Sequence, residues 1–176
     1  MLQLQTIAGE CPGKPHFAEM LFAWGRRLSE AGATGSLAYR FALGFVCTAR
    51  GVNLGALSAK DLLFLEPKEP GGEAWISRGR GEVPGVWWIH ATVFADRGSA
   101  IFTGLMEGTA WAEAALRAGA PSIGGAGAGP DAAVMGAIEA ALGKGNLVSL
   151  DGVGALALGS TADDAALALL ESRGRT

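Results

Sequence analysis

Large apolar side chains near the start of the chain recur with the spacing of a helix. Five of them follow one another at steps of three or four residues: Phe17, Met20, Leu21, Trp24 and Leu28. This spacing places all five on one helical face. Gly32 follows the run and is a typical stop signal. The pattern predicts a helix over residues 17–28 whose apolar face lies in the core.

Shorter apolar runs farther along indicate strands. We expect strands at residues 36–40, 44–48, 62–66, 99–103, 147–150 and 155–158. Helical patterns cover residues 87–96, 109–118 and 131–142, and Thr161 is the expected N-cap of a last helix. Residues 1–14 have the pattern of an irregular lead-in. Residues 67–84, rich in Pro and Gly, have that of a loop with room for a short strand at 75–77.

The irregular alternation of strands and helices predicts a layered α/β domain rather than a helix bundle. A chain of 176 residues is typical of one domain. The loop at 67–84 does not mark a boundary, because too little chain precedes it to form a stable domain. We therefore expect a single domain over residues 1–176.

The composition and charge of the chain exclude some classes of binding partner. The net charge of −3 argues against a general nucleic-acid binder, which needs a basic surface. No apolar run reaches the roughly 18 residues of a membrane helix, and no signal peptide is recognisable. Cys11 and Cys47 form neither a metal-binding spacing nor a disulfide framework. We expect a cytoplasmic protein without nucleic-acid or membrane partners.

Three segments share the order and spacing of a known family: residues 34–66, 87–104 and 143–165. They resemble the class II aldolase/adducin family and its fuculose-phosphate aldolase-like domains, whose motifs read SGNISVR, TPSG, SSEWPLH, HTH and RNHG. The resemblance implies a three-layer α/β/α sandwich with a central, mostly antiparallel sheet. It also implies a homo-oligomer, most commonly a tetramer. In the family's enzymes, the histidines of HTH and RNHG bind a divalent metal, usually zinc, and the glutamate of SSE is the general acid/base.

The residues of that chemistry are replaced in this chain. The alignment places the HTH motif on Phe102, Thr103 and Gly104, the RNHG histidine on Val153 and the SSE glutamate on Val86. A catalytic zinc needs about three protein ligands, which these residues do not provide. We expect no metal and no cofactor. We also expect an apolar contact between Phe102 and Val153 in place of the metal.

The family's phosphate pocket is changed as well. Its GN step corresponds to Gly35-Ser36 and its TPSG step to Thr48-Ala49-Arg50-Gly51, while Pro84 and Gly85 replace the two serines of SSE. A guanidinium suits phosphate and carboxylate, so Arg50 is the expected charged contact of a vestigial site. The resemblance thus implies a pocket for a small anion formed by Gly35, Ser36, Thr48, Arg50 and Gly51. The alternative for Arg50 is an ion pair or a surface position.

Other candidate sites have simpler explanations. His90 takes the place of the SSEWPLH histidine and is expected to pack in the interior, while His16 is expected at the surface. The glycine-rich run 125–131 lacks the Lys-Ser/Thr of a P-loop and indicates a connection into a helix. Trp87 and Trp88 would point about 100° apart on a helix, which predicts one in the core and one at an interface.

Two functions remain open from the sequence. The first is a catalytically degenerate, metal-free protein of this fold, a pseudoenzyme with a binding or scaffold role. The second is an enzyme with a relocated site, lyase- or epimerase-like, acting on a small anionic carbonyl or sugar-phosphate-like substrate. Zinc-dependent aldolase activity is not expected in either case, and no catalytic residue is assigned.

Overall fold

The computed structural model describes residues 2–143 and 145–174, in which the strands join into one nine-stranded sheet. The strands are β1 Gln3–Ile7, β2 Gly35–Phe41, β3 Gly44–Thr48, β4 Leu62–Pro67, β5 Ala74–Arg78, β6 Phe102–Glu107, β7 Ser122–Ile123, β8 Leu147–Leu150 and β9 Gly154–Gly159. Their order across the sheet is β1-β5-β4-β3-β2-β6-β9-β8-β7. The β1–β5 and β7–β8 pairs at the two ends are parallel, and the pairs between them are antiparallel.

Five α-helices accompany the sheet in the described ranges. They are α1 Pro15–Glu30, α2 Trp87–Asp96, α3 Thr109–Arg117, α4 Ala132–Leu142 and α5 Ala162–Ser172. Side chains cap two of the helices, one of them at the expected residue Thr161. Thr161 forms a capping box with Asp164 at α5, and the side chain of Asp131 accepts hydrogen bonds from the first turn of α4. These side chains satisfy backbone N–H groups that have no partner within the helix.

Alternating residues of the central strands belong to two separate apolar clusters. On β3, Phe45 and Cys47 belong to one cluster and Val46 to the other, as expected when successive side chains point to opposite faces. We call the cluster that contains Phe45 the first core and the cluster that contains Val46 the second core. Helices α2 and α4 supply residues to the first core, and α1, α3 and α5 to the second.

Most elements lie where the sequence predicts them, and three expectations are wrong. Residues 1–14 are not wholly irregular, since β1 pairs with β5. The strand expected at 99–103 is β6, which begins three residues later and ends at Glu107. Trp87 and Trp88 are both buried in the first core, so neither is left for an interface.

The mixed α/β class is confirmed by these elements. None of the helices in the part of the chain that the structure describes is long and apolar enough to cross a membrane.

Candidate functional site

The positions aligned with the family's metal ligands do not meet in the structure. Phe102 lies in the second core, whereas Val153 packs against the first. Phe102 pairs with Gly159, while Val153 precedes Gly154 at the other end of β9. The two ends of β9, Gly159 and Gly154, are five residue steps apart, or about 17 Å at the rise of an antiparallel strand. The expected contact between Phe102 and Val153 is therefore wrong.

The surroundings of Phe102 are apolar and closely packed. Its ring is 5.3 Å from that of Phe17 and 6.3 Å from that of Tyr39, measured between centroids. A hydrogen bond of 2.6 Å from Trp24 Nε1 to Asp163 Oδ1 holds α1 against α5 near this face. The void left beside Phe102 is about 10 Å³, roughly the room that one water molecule needs.

Gly104 is enclosed in the same core. A Cβ atom at this position would lie 3.0 Å from Leu169 Cδ1 and 3.2 Å from Leu37 Cδ2. A histidine here would have to displace both leucines. The site has neither the ligand atoms nor the room for the metal centre of the family.

Side chains elsewhere in the described part of the chain do not form another metal-binding site. Val86, aligned with the catalytic glutamate, is the N-cap residue of α2 and packs against the first core. Within residues 2–143 and 145–174, no group of three or more His, Cys, Asp or Glu residues is arranged to hold a metal ion. The residues present do not fit the zinc ion that the resemblance implies, because the aligned positions have no ligand atoms.

A buried polar bridge joins three elements beside these positions. His90 Nε2 on α2 lies 2.7 Å from Ser36 Oγ on β2, and His90 Nδ1 lies 2.7 Å from Thr103 Oγ1 on β6. All three side chains are 1% exposed or less. Burial lowers the pKa of His90 from 6.5 to about 4, so the ring is neutral near pH 7. The expected interior role of His90 is confirmed.

The five residues of the expected anion pocket divide between the core and the surface. Ser36 Oγ is already engaged by His90, and Thr48 Oγ1 accepts a hydrogen bond from Leu37 N at 3.1 Å. Thr48 is fully buried. Both hydroxyls are therefore closed to solvent, and a ligand could reach them only if the core opened.

The remaining pocket residues are more accessible. Arg50 is exposed, and its Nη1 lies 3.1 Å from Glu82 Oε1 in a surface ion pair. This is the alternative that the sequence left open for Arg50. Gly51 is exposed next to it, and Gly35 is half-buried against the Leu105 carbonyl on β6. Anion binding at this location remains a prediction.

Two further candidates lie as the sequence predicts. The glycine-rich run contains only a single turn of 3₁₀ helix at Ala126–Ala128, and the Asp131 side chain occupies the N–H groups that a phosphate would need. His16 is exposed at the start of α1, as expected.

An open cavity of about 700 Å³ lies at the end of β3 opposite Thr48. The β2–β3 hairpin, the β4–β5 connection, α2 and α4 contribute its walls. Sequence reasoning missed this cavity as a site because its lining comes from four separated segments. The one signal available was Trp75, an aromatic residue in a loop-like stretch, and Trp75 does line the cavity.

Comparisons with known proteins show a likeness of structure. No model of a known protein family matches the sequence. No curated protein sequence matches it either. Solved structures do match over most of the chain. An L-fuculose 1-phosphate aldolase superposes with a TM-score of 0.72 at 15% identity, covering 92% of this chain and 83% of that one.

Two other matches are of the same kind. The aldolase II superfamily protein from Pseudomonas syringae has a TM-score of 0.69 at 17% identity and covers 92% of this chain and 73% of its own. The L-fuculose-1-phosphate aldolase from Thermus thermophilus has a TM-score of 0.64 at 19% identity and covers 91% of this chain and 87% of its own. The resemblance seen in the sequence is thus confirmed at the level of structure: this chain has the fold of the class II aldolase superfamily.

Proposed function

We propose that this chain is a divergent, metal-free member of the class II aldolase superfamily with a binding or scaffold role. One observation supports the proposal above the others. The positions aligned with the metal ligands are occupied by side chains without ligand atoms, and Phe102 and Gly104 are sealed in an apolar core. Metal-assisted cleavage needs an ion to stabilise the developing oxyanion, and nothing at these positions would bind one.

The proposal also holds if the HTH motif is placed at the end of β6 that lies beside Val153. Leu105 shares the first core with Val153, and Gly108 N donates to Val153 O at 2.8 Å. If Val153 keeps the place of the RNHG histidine, the HTH motif corresponds to residues 105–107. The only ligand atoms supplied are then those of Glu107. One carboxylate does not make a catalytic zinc site.

The enzyme with a relocated site has less support. Its hydroxyl groups would be Ser36 and Thr48, and both are buried and hydrogen-bonded. His90 is likewise enclosed and has both ring nitrogens engaged. A substrate would reach none of the three in this conformation.

Two measurements on the purified protein test the proposal. Elemental analysis after incubation with Zn²⁺ and gel filtration should find no stoichiometric zinc. An assay of retro-aldol cleavage of L-fuculose 1-phosphate should show no turnover with or without added Zn²⁺. One zinc per chain together with metal-dependent cleavage would overturn the proposal. The matched variant is Glu107→Gln, which removes the only carboxylate at the aligned positions and should change neither result.

The finer architecture belongs to the same proposal. The two cores on opposite faces of the strands, with α2 and α4 against one and α1, α3 and α5 against the other, support a three-layer α/β/α arrangement. The antiparallel pairs at the centre support a mostly antiparallel sheet. One sheet that joins strands from residue 3 to residue 159 supports a single domain.

A residual anion site around Gly35, Arg50 and Gly51 can be tested separately. Exposed ion pairs contribute little, so an anion competes with Glu82 for Arg50 at small cost. Thermal-shift measurements with sulfate, phosphate and a sugar phosphate should show stabilisation in the wild type that Arg50→Ala removes. Stabilisation that survives Arg50→Ala would exclude Arg50 as the contact.

A further inference from the structure

Strand β1 forms one edge of the nine-stranded sheet, so among the described strands it has a neighbour on one side only. It comes first in the strand order and pairs in parallel with β5 over its whole length, Gln3–Ile7. The N–H and C=O groups that point away from β5 have no described strand to bond. Such an edge is a template on which another chain can add a strand.

The hydrogen bonds of β1 show which of its residues face the free edge. Gln3 N donates to Glu73 O at 2.8 Å, so the main chain of Gln3 points toward β5. In a parallel pair, the N–H and C=O of one residue point to the same side, and the side alternates along the strand. Leu4 and Thr6 therefore present their main-chain groups to the free edge. Between described residues, no backbone hydrogen bond outside the strand pairs involves either of them.

The two edges of the sheet differ in how well they are protected against pairing. The opposite edge, β7, has only two residues, Ser122–Ile123, and follows Pro121. Short strands, prolines and charged side chains are common ways to keep an edge from adding a strand. Strand β1 is five residues long and contains neither a proline nor a charged residue. Its edge thus lacks the protection that the β7 edge has.

The side chains of β1 leave the edge open as well. Leu4 packs against the first core, and Thr6 Oγ1 accepts a hydrogen bond from Ser77 Oγ at 3.1 Å. On the opposite face, Gln5 Oε1 accepts one from Lys68 Nζ at 2.7 Å. Strand side chains stand roughly perpendicular to the sheet. The Lys68 ammonium therefore lies over a face of the sheet and not in the plane where a further strand would bond.

A second copy of β1 is the strand that suits this edge. In an antiparallel pair with a two-fold axis at Gln5, all five residues of the strand overlap. Leu4 of each copy then faces Thr6 of the other, and the two residues exchange both main-chain hydrogen bonds. No like charges meet, because the strand has none. An axis at Leu4 or at Thr6 would overlap fewer residues of the strand.

We infer that two copies of this chain pair through β1, antiparallel and with the two-fold axis at Gln5, so that their sheets continue into each other. The inference goes beyond the proposed binding or scaffold role and names a surface through which the expected homo-oligomer forms. The same patch on both copies is the arrangement that a two-fold interface requires. A tetramer needs a further interface, so loss of this pairing leaves species of half the mass.

Light scattering of Thr6→Pro at micromolar concentration tests the role of the free edge. Proline at this position removes an N–H that points away from β5, and an edge strand tolerates proline in that orientation. The measured mass should be half that of the wild type. Thr6→Ala is the matched control, because it loses the same bond with Ser77 but keeps the N–H. It should have the mass of the wild type.

Disulfide trapping tests the register of the pair. The background is Cys11→Ser, in which the remaining cysteine, Cys47, is fully buried. In the proposed pair, the Gln5 residues of the two copies face each other without main-chain bonds, with Cα atoms about 4.5 Å apart. This separation suits a disulfide. Gln5→Cys should therefore form a covalent dimer on oxidation, seen on a non-reducing gel.

Gln3→Cys in the same background is the control for trapping. Gln3 is also exposed, and it lies on the same face of β1 as Gln5 because side chains alternate along a strand. Its two copies would lie four residue steps apart, or about 14 Å, which is too far for a disulfide. This variant should stay monomeric on the non-reducing gel.

Several outcomes would overturn the inference. They are a monomeric wild type, equal masses for Thr6→Pro and Thr6→Ala, no cross-linking of Gln5→Cys, or equal cross-linking of Gln3→Cys. If Thr6→Pro does not fold, the two cysteine variants decide between pairing at Gln5 and no such pairing. None of these results bears on the metal-free role, which the zinc and cleavage measurements decide independently.

Discussion

At the scale of single residues, the buried His90 shows how one side chain can connect three elements of the core. Neutral imidazole has one donor and one acceptor nitrogen, and the hydroxyls of Ser36 and Thr103 satisfy both. His90 thereby connects α2 to β2 and β6. Protonation would place a charge in the core that no carboxylate of the bridge compensates.

The first prediction concerns the pH dependence of stability. The pKa of His90 is lowered by burial from 6.5 to about 4 in the folded chain. Stabilisation is therefore complete above pH 6.5 and is lost as the pH falls toward 4, where the loss reaches roughly 3 kcal/mol. Urea unfolding at several pH values between 7 and 4 measures it. His90→Gln, which does not titrate, should show a smaller decrease, whereas His16→Gln at the surface should follow the wild type. Parallel pH profiles for all three proteins would contradict the prediction.

The second prediction concerns Phe102, the aromatic residue at a position aligned with a metal ligand. It is 3% exposed and packs between Phe17 and Tyr39. Phe102→Ala should lower the free energy of unfolding by about 3–5 kcal/mol, because it removes a buried ring and leaves a void. Chemical denaturation measures the change. Leu43→Ala, at an exposed position, is the control and should change stability by less than about 0.5 kcal/mol. A loss for Phe102→Ala as small as the control's would show that the ring is not in the core.

At the scale of elements, the β2–β3 hairpin contains a turn whose residue does not suit its backbone. Phe41 pairs with Gly44, so Ala42 and Leu43 form a two-residue turn. Ala42 has φ of 51°, a left-handed value that favours glycine at the first position of such a turn. The turn is therefore strained, and it also holds Leu43 at the cavity rim.

The third prediction follows from that turn. Ala42→Gly should raise the free energy of unfolding by up to about 1 kcal/mol, since it relieves the left-handed strain of a side-chain-bearing residue. Gly44→Ala, two residues on, should destabilise the protein because its Cβ would collide with the Leu65 carbonyl. Thermal unfolding compares both with the wild type. Destabilisation by Ala42→Gly would show that the turn is not strained.

Two elements show where the sequence pattern fails. The run Ala100-Ile101-Phe102-Thr103-Gly104-Leu105-Met106 is apolar on both faces of β6, so it contains no alternation that marks where the strand begins. Strand β1 was missed because an edge strand with mostly exposed residues has no apolar face to recognise.

At the scale of the whole molecule, the sequence predicted the fold more fully than the site. Helix α1 and the strands β2, β3, β8 and β9 have clear periodicity or turn signals, and the resemblance to the family's motifs supports the fold class that these elements form. The cavity has no such signal, because Arg40, Trp75, Phe94 and Met135 are brought together only by the tertiary structure. Ser36 and Thr48 matched a motif by position, but a motif does not show that a hydroxyl is turned into the core.

The two cores also explain the apolar composition. Hydrophobic residues make up 49% of the sequence, and strands and helices together bury many of them in the two cores. In the described part of the chain, the large apolar side chains that remain exposed are Leu43 and Leu116. The apolar composition is thus accounted for within one chain, and the expectation of assembly rests on the resemblance.

The last prediction concerns that assembly. The resemblance predicts a homotetramer, and a specific interface should bury more than about 1,000 Å² in total. Leu116 on α3 is 46% exposed, which makes it the apolar position best placed for such an interface away from the cavity. Light scattering at micromolar concentration should give four times the mass of the chain. Leu116→Glu should shift the protein toward smaller species, because a buried unpaired carboxylate is costly. Glu113→Gln, one turn earlier on the same helix and in a surface ion pair with Arg117, is the control and should leave the mass unchanged. A wild-type protein that is monomeric under these conditions would contradict the prediction.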